Sequence, residues 1–143
     1  MPTTFDQTAG TACVPLDALG KVFLIKNTVV MPTTAVSADI LQVLDVPAKT
    51  LVLGTMVRNS VIAVGTTCTG TIGITGGTAN GFDAAVDFKT AITALIQSTP
   101  SDTYPAAGGF YTNVADTIDI VPTISTLTVF PTFEIWALCL DLT

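Results

Sequence analysis

The stretch from Thr69 to Phe88 constrains the fold more than any other part of the chain. Apolar side chains occupy every second position on both sides of a glycine-rich centre: Ile72 and Ile74 before it, then Phe82, Ala84, Val86 and Phe88 after it. A period of two is typical of strands with one buried and one solvated face. The segment 76–81, GGTANG, tolerates positive φ and lets the chain reverse. The sequence therefore predicts a β-hairpin.

Composition extends this prediction to the whole chain. The 143 residues suffice for one core, and threonine, which favours strands, is the most frequent residue. Glutamate occurs once and lysine four times, so good helix formers for surface positions are scarce. Of the residues, 49% are hydrophobic and only 11% are charged. Either part of the surface is apolar and contacts a partner, or the protein is a well-packed sandwich whose surface is formed mainly by threonine.

Charge and residue usage exclude several classes of function. A net charge of −6, with five scattered basic residues, argues against nucleic-acid and anionic-membrane partners. The absence of histidine removes the commonest general base and metal ligand. The N-terminal residues do not resemble a secretory signal, and no apolar run is long enough to span a membrane. We expect no enzyme activity and no cofactor.

The cysteines are Cys13, Cys68 and Cys139, an odd number spaced far apart. This pattern favours buried free thiols in a chain made in a reducing cytoplasm, with one disulfide and one free thiol as the alternative. None has basic neighbours in sequence that would make its thiol reactive.

Taken in order, the chain divides into an extended N-terminal arm, residues 1–20, and a β-sandwich domain, residues 21–143. Eight or nine antiparallel strands separated by proline- and glycine-rich turns predict a sandwich or jelly roll. The segment Thr90–Ser98 is ambiguous between helix and strand, and we interpret it as a strand. The arm is either frayed, packed on its own chain, or laid across a neighbour.

Five residues are candidates for an interface. Phe5 and Leu16 would anchor the arm on a neighbour. Arg58, the sole arginine, pins a carboxylate across an interface, is a solvated charge, or pairs with one of the ten aspartates of its own chain. The last strand, 133–142, is apolar on both faces, so it lies either centrally or at an interface. On the second alternative, Phe133 and Ile135 contact the partner.

The residues that most resemble an active site have simpler interpretations. The glycines at 73, 76, 77 and 81 lack the lysine and the following helix of a phosphate-binding loop. Asp83 and Asp87 share a strand face and fit a solvated surface better than a metal site. Trp136 could stack on a sugar, but its apolar strand predicts a place in the core.

Four segments together resemble a family of small virion proteins of tailed bacteriophages, many of them marine: VLDVPAKTLVLGTMVRNSV (43–61), TGTIGITGGTANGFDAAVDF (69–88), GGFYTNVADTIDI (108–120) and IWALCLDL (135–142). The segments lie in order between residues 43 and 142, so that the resemblance spans about 100 of the 143 residues, and it consists of turns and strand faces. It departs from the family pattern at the hairpin, where Gly76-Gly77 and Asn80-Gly81 replace acidic turns. Fewer acids there weaken the idea of a bound cation.

The resemblance implies a capsid decoration or cement protein. Such a protein sits on the capsid exterior, binds the major capsid protein, often forms a homotrimer at a local three-fold axis, and is assembled in the host cytoplasm. The alternative, from another class, is a receptor- or glycan-binding knob on a head fibre or tail tip, with Tyr104, Phe110 and Tyr111 lining a pocket.

Overall fold

The computed structural model describes residues 2–15, 21–99 and 102–143, and nearly all of its regular structure is β. The strands are β1 (Thr4–Asp6), β2 (Ala12–Pro15), β3 (Val22–Val30), β4 (Ile40–Val46), β5 (Thr50–Val61), β6 (Val64–Gly73), β7 (Asp83–Asp87), β8 (Ile96–Gln97), β9 (Phe110–Thr112), β10 (Asp116–Val129) and β11 (Thr132–Asp141). A 3-10 turn (Thr8–Gly10) and a four-residue helix, α1 (Thr103–Ala106), complete the described elements. Within these ranges no helix could cross a membrane. The predicted all-β sandwich is confirmed.

Two sheets enclose a single core. Sheet A has the order β1-β4-β10-β6-β7, and sheet B has the order β2-β3-β11-β5-β8, with β9 also pairing with β5. The last two long strands return between earlier ones, β10 between β4 and β6 and β11 between β3 and β5. This interleaving is the strand order of a jelly roll. Every described pair is antiparallel except β1 with β4.

The core forms where alternating side chains of the two sheets meet. In β11 every second residue is buried: Phe133, Ile135, Ala137 and Cys139. Phe88, which directly follows β7, meets Phe133 across the sandwich with ring centroids 4.9 Å apart. Fully burying a side chain of this size contributes about 1.5–3 kcal/mol, so these contacts supply much of the stability.

Residues 2–15, the described part of the expected arm, pack on their own chain. They add β1 to the edge of sheet A and β2 to the edge of sheet B. Phe5 packs partly buried against the core, and the backbone N–H of Thr3 donates to the buried Asp39 carboxylate at 2.8 Å. Residues 2–15 thus pair with both sheets of their own chain, and the division into an arm and a sandwich domain stays a prediction. Leu16 lies outside the described residues.

The predicted hairpin is present as β6, a turn and β7. Phe82, Val86 and Phe88 are buried as expected. Ala84, expected on the same face, is exposed because the pairing of β7 with β6 shifts its register and interrupts the period of two. Interpreting Thr90–Ser98 as a strand is largely wrong, since only β8 pairs with the sheet there.

Candidate interaction surface

The two hairpin carboxylates each bind a nearby backbone amide. Asp83 Oδ1 accepts a hydrogen bond from the N–H of Ala85 at 2.9 Å, and Asp87 Oδ1 accepts one from the N–H of Lys89 at 2.8 Å. Partial burial raises the pKa of Asp83, because a carboxylate that loses hydration is harder to ionise. The described residues contain no group of three or more side chains suited to holding a metal ion. Both carboxylates therefore act as local turn caps.

The three thiols are unpaired. Cys68 and Cys139 are buried as expected, and burial raises the pKa of Cys68 to about 11 and that of Cys139 to about 12. The prediction that Cys13 is buried is wrong, because this residue lies on the edge strand β2 and is exposed. Because their pKa values are raised this far, Cys68 and Cys139 carry almost no thiolate near neutral pH and are poor nucleophiles.

We expect Cys13 alone to react rapidly with a thiol reagent in the native protein. At mildly alkaline pH the two buried thiols should react at least about 100-fold more slowly, because of their raised pKa values and their burial. With a reagent that releases a chromophore when it reacts with a thiol, the absorbance should correspond to one rapidly reacting thiol in the native state and to three after denaturation. The Cys13→Ser variant is the control and should show no fast phase; a second fast thiol in the native protein would contradict the burial.

Arg58 is paired within its own chain. Its guanidinium contacts the Glu134 carboxylate across β5 and β11, with Nη2 2.5 Å from Oε2, and lies 6.0 Å from the Trp136 ring centroid. The intramolecular alternative is therefore observed, although the partner is the single glutamate and not an aspartate. Because the pair is substantially exposed, it contributes at most about 1 kcal/mol. Interface roles for Arg58 and Phe5 stay predictions.

Phe133 and Ile135 do not lie at a surface, which corrects the expectation of an interface role. Both side chains are 0% exposed and point toward sheet A. Trp136, expected in the core, is instead on the opposite, outward side of β11 and is partly exposed. The reason is that both sides of β11 are apolar, so the alternation assigns residues to two faces without saying which face turns inward.

The outward side of sheet B carries a continuous apolar surface, here called the apolar face. Its side chains adjoin across neighbouring strands, as in the pairs Trp136 with Met56 and Leu138 with Leu24. Each member keeps part of its surface in solvent. The apolar face consists of Val14, Val22, Leu24, Leu51, Leu53, Met56, Trp136, Leu138 and Leu140.

The outward side of sheet A has a different chemistry and is here called the threonine face. Its hydroxyl side chains adjoin across β6 and β10, where Thr69 pairs with Thr123 and Thr67 pairs with Ser125. Thr71 continues the row along β6. Hydroxyl side chains on a pleated surface hydrogen-bond to water, so this face is suited to solvent. The sandwich thus has two dissimilar sides.

A smaller apolar group lies at one end of the sandwich, where β5 turns into β6 and β10 approaches β11. Its members are 38–62% exposed: Val30, Val61, Ile62, Val64 and Val129. Loop tips are ordinarily polar, so this group, here called the valine end, is a second candidate contact surface.

The aromatic residues considered for a glycan pocket are mostly engaged in the fold. The Tyr104 hydroxyl accepts a hydrogen bond from the backbone N–H of Thr78 at 2.8 Å, and its ring packs between Phe82 and Phe110 at centroid distances of 4.8 and 4.9 Å. Tyr111, at 49% exposure, is the member that faces solvent. Through these contacts, Tyr104 connects the turn between β6 and β7 to the segment that precedes β9.

Solved structures with the same fold come from phage capsids. A chain in "Capsid of Ralstonia phage GP4" has a TM-score of 0.69 at 14% identity, and the match covers 99% of each chain. A chain in "Cyanophage Pam1 capsid asymmetric unit" has a TM-score of 0.62 at 18% identity, covering 83% of this chain and 84% of that one. A chain in "Acidic stable capsid structure of Helicobacter pylori bacteriophage KHP30" has a TM-score of 0.61 at 9% identity, covering 93% and 94%.

Because the coverage is nearly equal on both sides, the three matched chains are about as long as this one. At such low identity the likeness shows a shared fold. No protein-family model matches the chain, and no curated protein matches its sequence.

Proposed function

We propose that this chain is a non-enzymatic structural protein of a phage virion, a decoration or cement protein that binds the outside of the head and stabilises contacts between major capsid subunits. The observation that carries the proposal is the fold shared, over 83–99% of this chain, with chains of similar length in three phage capsid structures. The resemblance of the segments 43–61, 69–88, 108–120 and 135–142 to small virion proteins points the same way.

The two dissimilar sides of the sandwich support this role. A protein that lies on a shell needs one side that contacts protein and another that remains in water, and the apolar and threonine faces differ in that sense. We further propose self-association as a trimer at a local three-fold axis and assembly in the host cytoplasm. The unpaired thiols are compatible with a reducing compartment.

The alternative of a glycan-binding knob has less support. It requires exposed aromatic side chains around a pocket, and Tyr104 is held by its hydroxyl and by two neighbouring rings. Tyr111 remains the one exposed aromatic of the three that were considered.

The copy number per particle tests the proposal. We expect quantitative mass spectrometry of purified virions to find many copies of this chain, in a fixed ratio to the head shell protein and accessible to antibodies on intact heads. A few copies per particle at a tail or fibre would favour the knob. Absence of the chain from purified particles would overturn the virion role altogether.

A further inference from the structure

We infer that residues 2–15, here called the clasp, open and close as one unit, and that the closed clasp keeps two long sheet edges from pairing with other chains. The clasp supplies the edge strand of both sheets, β1 beside β4 in sheet A and β2 beside β3 in sheet B. The 3-10 turn Thr8–Gly10 joins these two strands and packs against both β3 and β4. The clasp is therefore a strap across one open side of the sandwich.

The clasp is held on the sandwich mainly through its backbone. Within residues 2–15 only Thr8 is buried, and Phe5 is partly buried against the core. At the β1 end, the N–H of Ile40 donates to the carbonyl oxygen of Thr3 at 2.8 Å. An element with few buried side chains opens at a lower free energy than the core, because little apolar surface becomes exposed. The clasp can therefore open while the sandwich stays folded.

One buried side chain connects the middle of the clasp to both sheets. Asn27 of β3 is 4% exposed, and its Nδ2 donates to the carbonyl oxygen of Gln7 at 2.7 Å and to that of Val43 in β4 at 2.8 Å. The turn then passes close to the same amide, since a Cβ atom on Gly10 would lie 2.2 Å from Asn27 Oδ1. Because β1 and β2 flank this turn, displacement of the turn from Asn27 releases both strands together.

A second buried group holds the β1 end of the clasp. The Asp39 side chain lies in a residue that is 2% exposed, and its two oxygens accept hydrogen bonds from the N–H groups of Thr3 and Val36, each at 2.8 Å. A buried carboxylate depends on such hydrogen bonds, because burying it without partners costs far more free energy than burying a neutral group. Loss of this carboxylate therefore weakens the clasp at the end that lies away from β2.

An open clasp would leave edges longer than those that the closed clasp presents. The outermost strands are now β1, with three residues, and β2, with four residues that end at Pro15. With the clasp open, the outermost strands would be β4, with seven residues, and β3, with nine. Short edges and proline offer few free backbone groups to another chain, whereas long edges are templates for strand pairing. The closed clasp thus protects both sheets at this side.

Two sets of backbone amides report separately on the two halves of the clasp. The amide of Ile40 bonds to the β1 end. Amides of an antiparallel strand face its two neighbours alternately. The N–H of Met31, directly after β3, donates to the residue that precedes β11, so in β3 the amide of Ile25 faces β11 and those of Leu24 and Lys26 face β2. Ile25 is therefore an internal reference for opening of the whole sandwich.

Hydrogen exchange followed by NMR tests the concerted opening. In the unchanged chain, Leu24, Lys26 and Ile40 should exchange with one common opening constant, at least about 10-fold larger than that of Ile25. The Asp39→Ala variant should enlarge this constant at least about 10-fold at Leu24 and Lys26 as well as at Ile40, although the hydrogen bonds of its carboxylate lie at the other end of the clasp. Faster exchange at Ile40 alone would overturn the inference, because β1 and β2 would then open independently.

A substitution within the clasp checks the same point without removing a buried group. Gly10→Ala places a Cβ atom against Asn27 and should also speed exchange at Leu24, Lys26 and Ile40. Ala9→Ser changes the exposed neighbouring residue and is the matched control, which should exchange as the unchanged chain does. Equal acceleration at Ile25 in both opened variants would mean that the clasp opens only with the whole sandwich, which also contradicts the inference.

Sedimentation velocity tests whether the clasp protects the sheet edges. At equal concentration, Asp39→Ala and Gly10→Ala should form larger species than the unchanged chain, whereas Ala9→Ser should not. Circular dichroism and slow exchange at Ile25 confirm that the variants are folded. If both variants exchange faster at β3 and β4 yet sediment as the unchanged chain does, the protective role of the clasp is wrong.

Discussion

The Phe133→Ala variant is expected to lower the free energy of unfolding by about 3–5 kcal/mol. Phe133 is 0% exposed, and its ring centroid lies 4.9 Å from that of Phe88, so that β11 of sheet B contacts the residue that follows β7 of sheet A. The substitution removes that contact and leaves a cavity that rigid strands on both sides cannot fill. Since ordinary domains are stable by about 5–15 kcal/mol, this loss is a large fraction of the total stability. Equilibrium denaturation in urea, followed by circular dichroism, measures the difference.

Leu138→Ala is the matched control for this prediction. It lies on the same strand but on the outward side, where its side chain is already partly in solvent. Its loss should therefore cost about 1 kcal/mol, the value for a modest reduction in buried area. Equal destabilisation by the two variants would mean that β11 does not turn its Phe133 side toward sheet A.

The Gly73→Ala variant is expected to destabilise the protein by about 2–3 kcal/mol by displacing the hairpin turn. A Cβ atom at this position would lie 2.1 Å from the carbonyl oxygen of Thr78 and 2.4 Å from the carbonyl carbon of Ala79. Both are backbone atoms, so no side-chain rotation relieves the clash. The same turn is closed by hydrogen bonds from Ile74 N–H to Thr78 and from Phe82 N–H to the end of β6. Urea denaturation gives the magnitude, and hydrogen exchange should show faster exchange at the amides of Ile74 and Phe82.

Gly76→Ala is the control that separates the steric clash at Gly73 from a general sensitivity of the turn to substitution. A Cβ atom there would meet no atom within 4 Å, but the backbone has a φ of +86°, which costs an alanine about 1 kcal/mol. The variant should therefore be less destabilised than Gly73→Ala and keep slow exchange in the turn. The reverse order would contradict the close packing at Gly73.

Several features of the fold follow from local patterns in the sequence. The alternation on both sides of the glycines predicts the β6–β7 hairpin, and the abundance of threonine with few helix formers predicts an all-β chain. The candidate surface is also partly visible, because Trp136, Leu138 and Leu140 share one side of an alternating strand. The alternation does not indicate whether this side of the strand or the Phe133 side is the exposed one.

Other features depend on partners that are distant in sequence. Arg58 pairs with Glu134, 76 residues away, because β5 and β11 are neighbours in sheet B. Residues 2–15 become edge strands because β3 and β4 offer unpaired edges on the same side of the sandwich. The edge pairings have no local signal, since hydrogen bonds between backbones do not require particular side chains. The ion pair follows from the pairing of β5 with β11, which is also long-range.

The sequence by itself determined that this protein is built of strands, where its clearest hairpin turns, and which residues of β11 share a face. These are consequences of the two-residue repeat of an extended chain, which is a local property. Only the tertiary structure decided that Phe133 and Ile135 are core, that Trp136 and Leu138 are surface, and that the first strands close two sheet edges. In a strand that is apolar on both sides, the buried side is the one that faces the other sheet. The strand order of the jelly roll, which is set by long-range pairing, decides which side that is.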